Sequence, residues 1–356
     1  MVDLFSPFTL RGVTIRNRIG MSPMCQYSAY HGTVNDWHIS HYGARAAGGC
    51  GLILVEAAAV EARGRITPHD LGLWAEDHLE GMGRLVSVIE RSGAIPGIQI
   101  AHAGRKASVQ RPWDGGKSLY GQDDGWQPIA PSAIPFGEGY PTPALMDDTM
   151  IADVLFGFSE AARRARAAGF KWLEIHAAHG YLLHSFLSPI SNQRDDEYGG
   201  TFENRIRMLL KAVSVVRRAW GEAYPLAVRL SCTDWVEGGW TLEDSIALAH
   251  RLKAAGVDLV DCSSGGTARV KIQTAPGYQV PFAEAIRRES GIASAAVGLI
   301  SEPHHANQII QEERADLVLL GRELLRDSHW AQRASRELRG KAGDLLPPQY
   351  RYTLEP

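Results

Sequence analysis

Trp172-Leu173-Glu174-Ile175-His176-Ala177-Ala178-His179-Gly180-Tyr181 places a short apolar run directly before two histidines, a glycine and a tyrosine. A continuous apolar run of this kind is typical of a parallel strand covered on both faces. Histidines three apart on a straight strand point to opposite faces, so both can line one cavity only if the chain turns, which Gly180 allows. Spacing alone favours a structural role for the three rings, and the rest of the chain decides between that role and chemistry.

The same pattern of an apolar run followed by a polar or glycine-rich turn occurs eight times. Amphipathic helical patterns lie between the runs, for example at 148–168, 203–220 and 242–255, the last with Thr241 as N-cap. Strict alternation predicts an α/β fold, either a doubly wound sheet or a barrel. The first run lacks the G-x-G-x-x-G of a dinucleotide-binding sheet, and the count of eight favours a (β/α)8 TIM barrel. The predicted strands are 19–24, 52–60, 96–101, 172–175, 226–231, 259–263, 295–300 and 317–321.

Two segments fall outside this repeat. Residues 4–15 resemble a short hairpin with Arg11-Gly12 at its turn, and we expect it to plug the bottom of the barrel. Residues 105–146, rich in Gly, Pro and Trp, form an insertion after the third strand. An insertion of this length is usually functional, and we expect a lid over the barrel mouth.

Composition argues against several classes of protein. The chain has 356 residues, of which 45% are hydrophobic, and its formal net charge of −3 gives no basic surface for nucleic acid. No stretch reaches the roughly 18 apolar residues of a membrane span, and the N-terminus lacks a signal-peptide pattern. The four cysteines have no zinc or cluster spacing, which predicts no metal site and indicates reduced thiols in the cytoplasm.

Polar residues follow the ends of the predicted strands, which form the face that carries the active site in TIM barrels. Hydroxyl, bare backbone and guanidinium donors follow the last three strands and suit a phosphate; the residues are Ser263, Gly298, Gly321 and Arg322. Across the barrel, Gln99 and Arg229 offer an amide and a permanent charge, which match a planar heterocycle with an imide edge. Arg229 can also pair with a buried carboxylate, for which Glu56 is the candidate.

Three sequence blocks together resemble the Old Yellow Enzyme family of flavoproteins, in its thermophilic-like bacterial branch, over nearly the whole chain. The blocks are Ser-Pro-Met-Cys-Gln-Tyr at 22–27, Gln-Ile-Ala-His-Ala-Gly-Arg-Lys at 99–106, and 176–205, which contains the opening motif. Their joint presence is specific, whereas each block alone is weak. The resemblance implies that residues 1–356 form one FMN-binding barrel domain, with NADPH or NADH as reductant.

The resemblance also implies an ene reductase, also called an NADPH dehydrogenase, that acts on alkenes conjugated to a carbonyl or nitro group. His176 and His179 would bind the substrate oxygen, and Tyr181 would protonate the α-carbon. Tyr27 and Lys106 would line the substrate pocket. The implied flavin-binding residues are Pro23, Met24, Cys25, Ala57, Gln99, Arg229, Ser263, Gly298, Gly321 and Arg322.

Expected partners are small-molecule activated alkenes, with neither nucleic acid nor membrane. The resemblance implies a homodimer or homotetramer, because relatives in this branch place a C-terminal arginine into a neighbouring subunit's active site. In the tail, 340–356, the candidate is Arg351, although its register differs by one residue and the tail extends further.

Three alternatives fit parts of the pattern. A metal-dependent hydrolase could use His176 and His179 with a third ligand. A Schiff-base aldolase could use Lys106, since burial lowers the pKa of a lysine. A non-catalytic phosphate-binding barrel is the third alternative, but it would assign no function to His176, His179 and Tyr181.

Overall fold

The protein is described by a computed structural model that covers residues 2–341 and 343–352. The strands in chain order are β1 Phe8–Leu10, β2 Val13–Ile15, β3 Ile19–Met21, β4 Leu52–Ala59, β5 Ile95–Ala101, β6 Ile129–Ala130, β7 Ala144–Leu145, β8 Trp172–Ala177, β9 Leu226–Ser231, β10 Leu259–Ser263, β11 Ala293–Ala296 and β12 Leu317–Leu320. The α-helices are α1 Asp36–Ala47, α2 Leu79–Arg91, α3 Asp148–Ala167, α4 Leu182–Leu187, α5 Phe202–Arg205, α6 Arg207–Trp220, α7 Leu242–Ala254, α8 Val280–Ser290, α9 Pro303–Gln311, α10 Arg322–Arg326, α11 Trp330–Arg339 and α12 Pro348–Arg351.

Eight parallel strands close into a barrel in the order β3-β4-β5-β8-β9-β10-β11-β12, with β12 hydrogen-bonded back to β3. Every residue of β4, β8, β9, β10 and β12 is buried, because helices cover the outside and side chains fill the inside. The predicted (β/α)8 barrel is therefore confirmed, and all strands deliver their carboxyl ends to one face.

The N-terminal hairpin closes the opposite face. β1 and β2 pair antiparallel, and the side chains of Phe8, Leu10 and Ile15 join an apolar cluster at the amino ends of the barrel strands. Barrel residues in that cluster include Leu52, Trp172, Leu259 and Leu317. The hairpin plug is confirmed.

The insertion after the third barrel strand carries little regular structure beyond the β6–β7 pair and short 3₁₀ turns. Its aromatic residues lie against the barrel mouth. The ring of Trp113 packs edge-on to Tyr27, with centroids 5.9 Å apart, and the Phe136 ring centroid lies 4.3 Å from Lys106 Nζ. The long insertion therefore lies over the mouth, as expected of a lid.

Some predicted boundaries are wrong. The predicted helix at 203–220 is two helices, α5 and α6, because the backbone at Ile206 (φ −79°, ψ −12°) tightens into a turn between them. The seventh predicted strand, 295–300, ends at Ala296, since Gly298 and Leu299 have φ values of +126° and +52° that no strand can accommodate. Thr241 caps α7 as predicted, in a reciprocal pair with Asp244. No helix within the described ranges combines the length and apolar character of a membrane span.

Candidate active site

The chain turns within His176-Ala177-Ala178-His179-Gly180-Tyr181, where β8 ends. His176 is the fifth residue of the strand, and the backbone then enters the left-handed region at His179 (φ +59°) and Gly180 (φ +73°). The two imidazole rings meet edge to face with centroids 5.1 Å apart, and the Tyr181 ring lies 5.1 Å from that of His176. The predicted turn is confirmed, and it brings all three rings into one cluster.

Close backbone contact with the loop after β10 holds this turn. A Cβ on Gly180 would lie 2.2 Å from the carbonyl oxygen of Gly266, and one on Gly266 would lie 2.5 Å from Cα of His179. Lys106 ties the two loops together, because its Nζ donates to the carbonyls of His179 (2.8 Å) and Gly266 (3.2 Å). Glycine at both positions and the lysine between the loops therefore fix the position of His179.

Both histidines are neutral. Burial, followed by the nearby charge of Arg229, lowers the pKa of His176 and of His179 well below 6.5. The backbone N–H of Ala178 donates to Nδ1 of His176 at 3.2 Å, so the ring's own proton is on Nε2. Nε2 of His179 lies 2.7 Å from Oγ of Ser263. Each ring can thus offer one N–H to a ligand oxygen without carrying a charge.

Tyr181 is a protonated phenol. Burial is the main cause that raises its pKa well above 10. A small cavity lies beside it, lined by His176, Tyr181, Ala57, Ala59, Ala101, Ala103, Gly64, Ile66 and Asp70. Asp70 was not predicted from the sequence; its carboxylate accepts the backbone N–H groups of Ile66 (2.6 Å) and Thr67 (3.1 Å). Burial raises the Asp70 pKa to about 6.

Buried polar residues occupy the barrel interior below the histidines. Gln99 donates from Nε2 to Glu174 at 2.8 Å, and Nε of Arg229 lies 3.0 Å from Oδ2 of Asp261. The expected pairing of Arg229 with Glu56 is wrong, because the strand register places Arg229 level with Asp261 on β10. Burial and the charge of Asp261 raise the pKa of Glu174 to about 8. Gln99 and Arg229 thus lie within one polar cluster that sequence spacing did not reveal.

Glu56 instead holds the loop after β3. Its carboxylate accepts the backbone N–H of Gln26 at 2.7 Å and the Tyr42 hydroxyl at 3.1 Å. Burial, then the charges of Asp70 and Glu56, raises the pKa of the Cys25 thiol, which stays protonated next to the backbone of Ala57. The loop therefore presents Pro23, Met24, Cys25 and Tyr27 from a fixed base.

The four residues expected to bind phosphate line one cavity of about 410 Å³ at the ends of β10, β11 and β12; they are Ser263, Gly298, Gly321 and Arg322. His179 borders the same cavity. A Cβ on Gly321 would meet only Met24 Sδ, at 3.5 Å, so the backbone there is open to a ligand. Hydroxyl, backbone and guanidinium donors around such a space fit a phosphate group. Gln279, which was not predicted from the sequence, supports the cavity by accepting from Ser264 (2.6 Å) and donating to the Val297 carbonyl (3.0 Å).

Arg351 lies away from this site. It ends α12 and donates to the carbonyl of Leu346 at 3.2 Å, in a groove lined by Arg16, Ala47 and Ser92 at the amino ends of the strands. Its own chain's active site is at the other end of the barrel. The last part of the predicted tail, 353–356, lies outside the described residues, as does residue 342.

Two donor sets fit the two ends of FMN: hydroxyl, backbone and guanidinium groups around the cavity at the mouth suit the phosphate, and Gln99 and Arg229 in the buried polar cluster suit the ring. That arrangement defines a flavin-dependent oxidoreductase on a TIM barrel. The chain belongs to the NADH:flavin oxidoreductase / NADH oxidase family, whose profile matches residues 3–341. It is an enzyme with FMN as its cofactor and NADPH or NADH as its reductant.

Curated relatives match almost end to end. The chain is 50% identical over 337 residues to the NADPH dehydrogenase of Geobacillus thermodenitrificans (strain NG80-2), covering 94% of each chain. Identity to the NADPH dehydrogenase of Bacillus subtilis (strain 168) is 45% over 337 residues, covering 94% of this chain and 95% of that one.

Solved structures share the fold. Morphinone reductase superposes with a TM-score of 0.79 at 26% identity, covering 95% of this chain and 90% of that one. A 2-naphthoyl-CoA reductase superposes with a TM-score of 0.85 at 26% identity over 96% of this chain. The chain spans about half of that larger reductase, 53% of its length.

Proposed function

We propose that the protein is an ene reductase that reduces activated alkenes with electrons from NAD(P)H. When bound, FMN supplies the hydride that the β-carbon of an α,β-unsaturated carbonyl or nitro compound receives. The observation that carries the proposal is the convergence of two neutral imidazoles and a protonated phenol at the mouth of a flavin-binding barrel. Such a group can polarise an oxygen and supply a proton.

His176 and His179 bind the substrate oxygen. Negative charge develops on that oxygen as hydride reaches the β-carbon, and fixed donors stabilise such charge by several kcal/mol in favourable sites, roughly 3 for a single donor. Nε2–H of His176 has no protein acceptor among the described hydrogen bonds, and His179, whose Nε2 lies 2.7 Å from the Ser263 hydroxyl, donates its one ring N–H to the same oxygen. Neutral rings suit this role, because they donate without a charge that would have to be desolvated.

Tyr181 delivers a proton to the α-carbon. Its raised pKa keeps the proton on the phenol until carbanion character develops on the substrate. Tyr27 and Lys106 line the pocket, and the Lys106 ammonium lies 5.0 Å from the centroid of the Tyr181 ring. Lys106 also acts by holding the carbonyl of His179.

The flavin-binding residues take three roles. Gln99 and Arg229 meet the pyrimidine edge, where negative charge accumulates on reduction. The phosphate is held by Ser263, Gly298, Gly321 and Arg322. The remaining residues, Pro23, Met24, Cys25 and Ala57, line the ring system.

A homodimer or homotetramer gives Arg351 its proposed substrate role. Because Arg351 lies at the far end of its own barrel, it can reach only a neighbouring subunit's mouth. The four cysteines are free thiols, which supports a reducing compartment such as the cytoplasm.

Anaerobic stopped-flow kinetics of the two half-reactions test the proposal. We expect NADPH to bleach the flavin and 2-cyclohexenone to restore its colour. Flavin that is reduced by NADPH but not reoxidised by any enone, maleimide or nitroalkene contradicts the ene-reductase assignment. A metal-dependent hydrolase finds less support, since no three His, Cys, Asp or Glu side chains in the described ranges are placed to hold a metal ion.

A further inference from the structure

Three cations surround one aromatic ring of the insertion. The Phe136 ring centroid lies 4.3 Å from Lys106 Nζ, 5.8 Å from the guanidinium carbon of Arg105 and 5.7 Å from that of Arg269. Arg269 also lies over Tyr140, at 5.5 Å, and its Nε lies 3.3 Å from where a Cβ on Gly137 would be. We call Arg105, Lys106 and Arg269 the mouth cations.

Among the residues that the structure describes, none of the mouth cations forms an ion pair with a carboxylate. Arg105 is buried and donates to backbone carbonyls, above all that of Thr267 at 2.6 Å, while Lys106 donates to the carbonyls of its two loops. The carboxylate that acts on Arg105 is Asp234, which is already paired with His184 at 3.1 Å. No ion pair to Arg269 occurs in the part of the chain that the structure describes. Three positive charges thus remain uncompensated in a partly desolvated cluster.

The mouth cations form a path from the surface to the reacting group. Lys106 lies 5.0 Å from the Tyr181 ring, Phe136 contacts both Lys106 and Arg269, and Arg269 is exposed to solvent. A ligand whose reactive ring reaches Tyr181 would therefore extend its next groups past Phe136 towards Arg269. Those groups meet positive charge.

We propose that Arg269, with Arg105 and Lys106 behind it, binds the phosphate groups of the nicotinamide dinucleotide. The dinucleotide carries its pyrophosphate beyond the nicotinamide riboside, and NADPH has a further phosphate. Neutral enones and maleimides have no group for this site. The inference rests on NAD(P)H as reductant and is independent of which alkene is reduced.

The lowered pKa of Lys106 also supports a phosphate site at the mouth cations. Burial and then the charges of Arg105 and Arg269 lower its pKa to about 8. A phosphate beside this cluster would offset that repulsion. Binding should therefore be accompanied by proton uptake near pH 8, because Lys106 is only partly protonated there in the free enzyme.

Isothermal titration of NADP⁺ into the FMN-loaded enzyme tests the site without turnover. We expect Arg269→Ala to weaken NADP⁺ binding about tenfold and Arg269→Glu to weaken it further, with Arg269→Lys retaining most of the affinity. The matched control is Arg218→Ala, an exposed arginine near the end of α6, which should leave affinity unchanged. The loss at Arg269 should shrink at high salt.

Stopped-flow flavin reduction gives the second readout. The apparent Kd for NADPH should rise in Arg269→Ala while the limiting rate and the reoxidation by 2-cyclohexenone are unchanged. Unchanged NADP⁺ affinity in Arg269→Glu, or an equal loss in Arg218→Ala, would overturn the proposal. The proposal would also be overturned if the Arg269 variants were impaired only in flavin reoxidation by carboxylated alkenes such as itaconate, because Arg269 would then bind an anionic substrate rather than NADPH. If the enzyme reduces no alkene, the proposed function fails, but the NADP⁺ affinities of the variants still decide this proposal.

Discussion

His179 and Ser263 are joined by a hydrogen bond, with imidazole Nε2 and hydroxyl Oγ 2.7 Å apart. The bond links the proposed oxygen-binding site to the proposed phosphate site. A phosphate that binds the Ser263 hydroxyl would change the hydrogen bond between that hydroxyl and His179. Cofactor loading and readiness to bind an alkene are therefore coupled through one serine.

Replacement of Ser263 tests its part in cofactor binding. Ser263→Ala should weaken FMN binding by about 1.5–3 kcal/mol, because a hydrogen bond to a charged phosphate is lost. Flavin fluorescence during titration of the apoprotein measures the change. Ser294→Ala is the matched control, since that hydroxyl is buried on β11 and has no hydrogen-bond partner among the described residues. Equal losses in the two variants would contradict a phosphate role for Ser263.

Replacement of Tyr181 should separate the two half-reactions. In Tyr181→Phe we expect NADPH to reduce the flavin at nearly the wild-type rate, whereas alkene reduction falls by about 10²-fold or more, because only the second step needs the proton. Tyr140→Phe retains an aromatic ring in the insertion and should change neither step. Parallel losses in both half-reactions of Tyr181→Phe would remove its role as proton donor.

Phenols mimic the substrate oxygen and report on the histidines. His176→Ala should weaken the binding of a para-substituted phenol by about 1–2 kcal/mol, measured from the flavin absorbance change. Since burial holds the pKa of both histidines well below 6.5, neither ring should titrate between pH 6 and 8, and the loss in His176→Ala should be the same across that range. A loss in His176→Ala that grows as the pH falls through 6.5 would mean that this histidine binds in its charged form.

Glu56 should make stability depend on pH. Burial raises its folded pKa from 4.5 to about 8, so the unfolded chain loses this proton first. The stabilisation it provides is present below the unfolded pKa and is lost as pH rises towards 8. Glu56→Gln should flatten the fall in Tm between pH 5 and 8, by thermal unfolding of the FMN-loaded enzyme. Exposed Glu138→Gln should follow the wild-type curve, and a Glu56→Gln curve parallel to wild type would refute the assignment.

The fold and the outline of the site could be predicted from the sequence because both depend on local order. Buried parallel strands are continuous apolar runs, so all eight could be located, and a polar residue after such a run must lie at the barrel mouth. The turn at His179 followed from strand alternation and Gly180.

Pairing across strands could not be predicted. Arg229 pairs with Asp261 rather than Glu56 because the register between neighbouring strands decides which residues lie side by side. Residue spacing within one strand carries no information about that register. The convergence on Phe136 likewise depends on the path of an insertion without regular structure. The seventh barrel strand, β11, ends earlier than predicted because Leu299 takes a left-handed conformation, which is uncommon for leucine and could not be predicted from its residue type.

The hairpin formed by β1 and β2 has a kinetic consequence. By packing against the amino ends of the strands, it leaves the barrel mouth as the open face for both reactants. Under the proposed function, NADP⁺ must leave this face before an alkene can enter, so each reactant would also block the other. High alkene concentrations should consequently slow the enzyme by competing with NADPH, and double-reciprocal plots at several alkene concentrations below that range should be parallel.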